Sequence, residues 1–230
     1  QEGGPLGFVN AMGPYNGLPE SMEDKFDRIG DIGGPDTHSN FPWGWSMAAN
    51  TPLRRYKQNT HGGGVRDPLV IHWPRRINDP GLRDQFCHAC DIVPTLLDCI
   101  GIDAPESVNG VQQKPIEGVS FASTLNDPEA ESGKTTQYFE MFGHRGIVHN
   151  GWKAVAYHPP GTPYEDDKWE LFNLLDDFNE TKDRSQTEPE LLNEMLDLWW
   201  EQARMHQVLP LDDRFAERFA ENAARHLGGR

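Results

Sequence analysis

Four basic side chains, Arg54, Arg55, Lys57 and Arg66, lie in a stretch from Thr37 to Arg66 that contains no aspartate or glutamate. They run into three consecutive glycines, Gly62-Gly63-Gly64, and then into Val65-Arg66-Asp67-Pro68. Side-chain cations and the exposed N–H groups of a glycine turn are thereby brought close together, which is what an anion site requires. A basic surface loop has the same composition, and the residues alone leave both readings open.

Other chemistry-bearing patterns carry less. Gly44-Trp45-Ser46-Met47-Ala48 approaches a G-x-S-x-G nucleophile elbow, and His61-Gly62-Gly63-Gly64 matches an HGGG oxyanion loop. In the hydrolases that use both, the HGGG segment precedes the serine, and here the order is reversed. Cys87-His88-Ala89-Cys90 has C-x-x-C spacing without a second pair, so it reads as a structural segment ahead of a helix. Asp36, His38 and Asn40 alternate along a segment of loop composition and read as solvated polar residues. No metal ligand is assigned.

These residues need elements to hold them. The chain is rich in turn residues up to Pro68, after which Leu69-Val70-Ile71-His72-Trp73, closed by Pro74, reads as a buried strand. Asp91 followed by Ile92 to Gly101, with Pro94 early and glycine at the end, predicts a short helix. A strand followed by a helix fits an α/β layer. After a polar stretch from about 103 to 136, strands are expected at Tyr138 to Phe142, Arg145 to His149, Trp152 to Tyr157 and Trp169 to Asn173, with Asn150-Gly151 as a hairpin turn. Thr187 and Glu190 form a potential capping box, and Leu192, Met195, Leu196, Trp199 and Ala203 then repeat at helical spacing. A second amphipathic helix is expected from Asp212 to Leu227. The expected organisation is therefore 1–130, an α/β portion; 131–210, a small antiparallel sheet with a covering helix; and 211–230, a helical tail.

The whole chain, 230 residues with a formal net charge of −15, excludes a basic nucleic-acid binder. Its seven tryptophans and eleven phenylalanines argue against general disorder. No apolar run approaches the ~20 residues of a membrane-spanning helix. Three cysteines, an odd number, suggest a reducing compartment, so the cytoplasm is expected over the periplasm. Gln1-Glu2-Gly3-Gly4-Pro5 reads as the middle of a loop, and the chain is expected to be a fragment of a longer protein.

The segment Lys57 to Pro68 resembles the lysine motif of the sulfatases: a lysine, a few residues, Gly-Gly, a hydrophobic residue, one further residue and proline. Gln1 to Pro5 resembles the loop after that family's Asp-Asn metal motif. Phe41-Pro42-Trp43-Gly44-Trp45 and Asn50-Thr51-Pro52 resemble its large bacterial arylsulfatases, and Asp91-Ile92-Val93-Pro94-Thr95-Leu96-Leu97 resembles its D-x-x-P-T-L-L helix. The resemblance weakens after about residue 207.

This resemblance implies an alkaline-phosphatase-like α/β fold, of which 1–130 is the C-terminal portion, followed by a small antiparallel domain. It implies a bacterial arylsulfatase as the parent, acting on a small-molecule sulfate ester, with neither nucleic acid nor membrane as partner. Lys57 aligns with the family's sulfate-contacting lysine and is the expected catalytic and substrate-binding residue. His61 is a second substrate-binding candidate, able to act from behind the contact, and Gly62 and Gly63 are expected to keep the loop tight. Arg54 and Arg55 are expected to hold the loop or face solvent. The family's calcium ion and its formylglycine, made in a C/S-x-P-x-R motif, are expected upstream, so this segment alone is expected to be inactive. The alternatives are a phosphodiester or phosphonate monoester hydrolase of the same superfamily and a non-catalytic binding module of sulfatase descent.

Overall fold

In chain order the helices are α1 (Met22–Asp27), α2 (Trp43–Ala49), α3 (Gly62–Val65), α4 (Ile92–Ile100) and α5 (Pro189–Met205). The strands are β1 (Ser107–Val108), β2 (Val111–Gln112), β3 (Thr136–Met141), β4 (His144–His149), β5 (Trp152–Ala156) and β6 (Trp169–Asn173). The computed structural model describes residues 6–13 and 18–214. The helix expected from Asp212 to Leu227 therefore lies, apart from 212–214, outside the described residues, as does the loop expected at Gln1 to Pro5. Among the described residues no helix is long and apolar enough to cross a membrane.

The residues group into two units, one comprising Gln1–Asp67, Tyr138–Ile147 and Gly151–Arg230, the other Pro68–Gln137 with Val148–Asn150. This grouping cuts across a division at 130, because Leu18 to Asp67 clusters with the C-terminal sheet.

The first unit is built on the four-stranded sheet β3-β4-β5-β6, in which sequence order is spatial order. Two-residue connections join β3 to β4 and β4 to β5, since only antiparallel neighbours can be joined so tightly, and a longer segment, 157–168, leads from β5 to β6. Asn150 and Gly151 both take positive φ, 48° and 81°, as a mirror-image hairpin turn demands. Phe142 and Gly143, at 52° and 86°, repeat the device between β3 and β4. Strands β5 and β6 pair antiparallel, with Ala154 opposite Leu171 and Lys153 opposite Phe172.

Alternation along the strands gives the sheet two different faces. Ala154 and Leu171 join Ile147 in a core with Met195, Trp199 and Ala203, the buried stripe of α5. The Trp199 indole N–H, taken into that core, donates to the carbonyl of Phe139 at 3.1 Å. Helix α5 matches the expected periodicity, but the Thr187 capping box does not form. The helix begins at Pro189, which needs no N–H partner in the first turn, and Glu188 is its N-cap without a side-chain bond. Thr187 instead turns its hydroxyl to the carbonyl of Arg184.

In the second unit α4 ends as its sequence predicts, with Gly101 in the left-handed region at φ 68°. Asp91 is fully buried and makes no side-chain cap to α4. Its carboxylate accepts from the N–H groups of His88 (2.7 Å) and Val119 (2.8 Å) and from Lys134 Nζ (3.0 Å). Burial alone would raise its pKa, and these bonds outweigh burial and lower it. The strand expected at Leu69 to Trp73 is absent. Those residues are irregular, and Val70 is 89% exposed. A strand needs a neighbour to take its N–H and C=O groups, and among the described residues none pairs there.

Candidate functional site

The sheet face opposite α5 carries Lys153 and Val155 from β5 and Glu170 and Phe172 from β6, and the loop from Asn50 to Gly64 lies against it. Two carboxylates fasten the loop. Glu170 binds Arg54 Nη1 at 2.9 Å through one oxygen and His61 Nε2 at 2.9 Å through the other. Glu180 accepts from the Gly62 N–H at 2.9 Å and from Lys153 Nζ at 2.6 Å, while its carbonyl takes a second bond from Arg54 at 3.0 Å. The Arg54 guanidinium also lies over the Phe172 ring, 5.5 Å from its centroid. Thr60 completes the seam by donating its hydroxyl to the carbonyl of Arg145 on β4 at 2.9 Å.

Internal bonds fix the loop's own shape. Asn50 Nδ2 bridges the carbonyls of Arg55 (3.0 Å) and Gly63 (2.6 Å), tying the start of the loop to its end. Gly63 N–H donates to the carbonyl of Arg54 at 2.8 Å. Arg55 and Gln58 adopt positive φ, 62° and 77°, so the backbone reverses on both sides of Lys57. The two glycines that permit this are Gly63 and Gly64. A Cβ on Gly63 would stand 2.1 Å from the Arg55 carbonyl oxygen, and one on Gly64 would stand 1.9 Å from that of Asn59. Gly62, expected with Gly63 to keep the loop tight, would meet only the side chains of Glu180, Oε1 at 3.2 Å, and Leu53 at 3.4 Å. The expectation for Gly63 is met, and Gly64 takes the place expected for Gly62.

The electrostatics follow from burial. Lys153 and Glu180 are both about 1% exposed, and burial drives the lysine pKa down to about 8 despite the partner's attraction. His61, also 1% exposed, is held below its ordinary value by burial, against the opposing bond to Glu170. It is therefore neutral near pH 7, donating Nε2–H to Glu170, and its Nδ1 has no partner among the described residues. Burial would raise Glu170, but the bonds from His61 and Arg54 and the charge on Arg54 outweigh it and bring the carboxyl to about 2.

Lys57 and His61 thus sit differently. Lys57 is exposed at the turn between the two left-handed residues. His61 is buried with its ring committed to Glu170, so it holds the loop. Arg54 also holds the loop, whereas Arg55 stacks on Tyr157 with its guanidinium carbon 3.9 Å from the ring centroid. Sequence reasoning missed Asn50, Lys153, Glu170 and Glu180. Ser46 lies on α2, buried, and among the described residues its hydroxyl has no hydrogen-bond partner, hence no base. Cys87 and Cys90 are exposed free thiols.

The family model described as N-sulphoglucosamine sulphohydrolase, C-terminal, matches residues 56–204, and the chain belongs to this sulfatase family. An uncharacterised sulfatase of Schizosaccharomyces pombe is 29% identical over 172 residues, covering 70% of this chain and 30% of that protein. Bovine arylsulfatase A is 30% identical over 151 residues, covering 56% of this chain and 30% of that protein. The crystal structure of Ps i-CgsB in complex with k-i-k-neocarrahexaose superposes with a TM-score of 0.54 at 23% identity, covering 74% of this chain and 36% of that one, and supports the fold. The chain spans about 30% of the length of the curated relatives it matches.

The family's calcium and formylglycine can be tested against the residues present. Among the described residues no group of three or more His, Cys, Asp or Glu side chains could hold a metal ion. No cysteine or serine heads a C/S-x-P-x-R motif. Neither group has a seat among these residues, and the chemistry below uses only the chain's own side chains.

Proposed function

We propose that this chain is the C-terminal portion of a sulfatase that hydrolyses sulfate esters to an alcohol or phenol and inorganic sulfate, and that Lys57 is its sulfate-binding cation. The carrying observation is the construction of the loop. Arg54, His61 and Gly62 are fixed to Glu170 and Glu180, which braces the turn that carries the exposed Lys57. A compact ammonium suits a sulfate oxygen, and it stabilises the bridging oxygen as the S–O bond breaks and charge accumulates there. In this reading 1–130 belongs to an alkaline-phosphatase-like α/β domain and 131–210 to the small domain, with calcium and formylglycine supplied by residues outside this chain. The relatives' names favour sulfate esters over the phosphodiester or phosphonate alternative, and the arylsulfatase assignment is the specific form of the proposal.

The test is Lys57→Ala in the complete polypeptide. With the fold intact, kcat and kcat/KM for 4-nitrophenyl sulfate should fall by about 10²-fold or more, as for loss of an oxyanion donor. The loss should grow for esters of poor leaving groups, whose bridging oxygen carries more charge in the transition state. Wild-type turnover in a correctly folded variant would overturn the assignment of Lys57. Equal losses across leaving groups would remove its role at the bridging oxygen and leave sulfate binding.

A further inference from the structure

Beside the start of α4 a thiol, an amine, an imidazole and a carboxylate converge, and the sulfatase reading uses none of them. Cys90 is an exposed free thiol. Its Sγ lies 3.1 Å from His88 Nδ1, 3.4 Å from Asp91 Oδ1 and 3.6 Å from Lys134 Nζ. Lys134 arrives from 44 residues further along the chain, its side chain 8% exposed and its Nζ 3.0 Å from Asp91 Oδ1. The carboxylate thereby holds a buried amine against a sulfur that solvent reaches.

His88 supplies a base. Its Nδ1 accepts the backbone N–H of Cys90 at 3.3 Å, so the lone pair of the neutral ring is on the nitrogen nearest the sulfur. Burial and the charge of Lys134 hold His88 below its ordinary value against the pull of Asp91, which keeps it neutral near pH 7. Burial, with Asp91, raises the Cys90 thiol against the pull of Lys134, so the sulfur rests protonated and needs a neighbouring base to become nucleophilic. The C-x-x-C spacing does not by itself pair the cysteines. His88, between them, is extended at φ −132° and ψ 160°, and does not begin the reversal that would bring the two Cα atoms to disulfide distance.

We propose that Cys90 and Lys134 form a reversible oxidation site, at which a peroxide converts the pair to a sulfur–nitrogen bridge between the approach to α4 and the segment before β3. In the first step the Cys90 thiol gives its proton to His88 Nδ1 and its sulfur attacks one oxygen of hydrogen peroxide. The O–O bond breaks, sulfur is oxidised by two electrons to the sulfenic acid, and the other oxygen leaves as water with the proton from His88. In the second step Lys134 Nζ attacks that sulfur. The S–N bond forms and the S–O bond breaks; the hydroxyl departs as water with one ammonium proton, and a second proton goes to solvent. The bridge replaces the Lys134–Asp91 ion pair and leaves the carboxylate its bonds from the N–H groups of His88 and Val119. An added thiol attacks the bridged sulfur, releases the amine and reverses the change.

The test treats the complete polypeptide with hydrogen peroxide, alkylates the remaining thiols and digests it with trypsin without reduction. Trypsin cuts after Arg83, Lys134 and Arg145 but not between Lys114 and Pro115, so the unmodified protein yields peptides 84–134 and 135–145. The bridge should abolish cleavage after Lys134 and give peptide 84–145 two hydrogens lighter, and dithiothreitol before digestion should restore both peptides. Lys134→Arg keeps a cation for Asp91, but a guanidinium is no nucleophile; peroxide should then leave cleavage after residue 134 complete while Cys90 passes to the sulfinic acid. Thermal unfolding without peroxide checks that this variant is folded, and should it fail to fold the wild-type peptides decide alone. A lighter peptide 84–134 with free 135–145 would mean a disulfide among Cys87, Cys90 and Cys99, and would overturn the bridge. Oxygen added to Cys90 of the wild type with Lys134 still cleaved, or no reaction, would overturn it equally.

Discussion

Replacing Glu180 by Gln isolates the charge in the brace behind Lys57. Glutamine keeps an oxygen for the Gly62 N–H, so the main loss is the anion 2.6 Å from Lys153 Nζ. Removing one partner of a buried pair is commonly worth ~3–5 kcal/mol, because the other charge is stranded. Lys153 has an escape, however, since burial already lowers its pKa to about 8. Neutralising it at pH 7 costs about one pKa unit, on the order of 1–2 kcal/mol, and this caps the charge penalty there. At pH 5 the cap rises to roughly 4 kcal/mol, within the range for a broken buried pair. Above pH 8 the lysine is neutral in both proteins and the penalty fades.

For a domain of this size the pH 7 value corresponds to a Tm lower by roughly 3–6 °C, and the pH 5 value to roughly 8–16 °C. Thermal unfolding of wild type and variant at pH 5, 7 and 9, with amide exchange of Gly62 as a local reporter, tests this. A Tm difference that does not change with pH would refute the argument, because the loss would then come from packing or hydrogen bonding. Lys153→Met combined with Glu180→Gln should recover part of the pH 5 loss by removing the stranded ion.

Three further outcomes are expected. In the complete polypeptide, if it hydrolyses sulfate esters as proposed, Gly64→Ala, with its new Cβ 1.9 Å from the Asn59 carbonyl oxygen, must displace the loop and should lower kcat/KM by about 10²-fold, whereas Gly62→Ala should cost far less; this is read from steady-state kinetics. Stability should fall on acidification in two stages, followed by urea unfolding from pH 7 to 3. The unfolded chain binds a proton at His61 below 6.5 that the folded protein refuses, and Glu170, at about 2 when folded against 4.5 as its ordinary value, loses its contribution as pH falls from 4.5 towards 2. Glu170→Gln should remove the second stage.

The sheet was legible because its signals are local. Asn150-Gly151 and the alternation in Trp169 to Asn173 need no distant partner to be recognised, and the stripe Met195, Trp199, Ala203 declares its buried face by spacing alone. The turn at Asn109-Gly110, between β1 and β2, carries the same signal, with φ of 51° and 81°, but flanking strands of two residues are too short to show alternation. Leu69 to Trp73 shows the converse: an apolar run specifies a strand only when a neighbour exists to pair with it. In the site, the tight loop was legible from its basic residues and glycines. The brace was not, because Arg54 and Glu170 are separated by 116 residues and Gly62 and Glu180 by 118. Lys153, between Trp152 and Ala154 in a strand, has no sequence feature that marks it as buried.

The brace also explains how the loop can keep an unfavourable shape. Arg55 and Gln58 each occupy a left-handed backbone region that non-glycine residues avoid, as does Glu180 at φ 58°. Each costs about 1 kcal/mol or more and persists only where surrounding contacts over-determine it. Those contacts are the Asn50 bridge, the Gly63 N–H bond to Arg54 and the carboxylates of Glu170 and Glu180, all on the inner side of the turn. In the proposed role, a flexible lysine on a relaxed loop would lose orientation entropy on engaging sulfate, and the brace accomplishes part of the loop's ordering in the folded protein. The strain and the brace therefore belong together: the contacts that hold Arg55 and Gln58 left-handed also fix the turn that carries the exposed Lys57, while Arg55 lies over Tyr157.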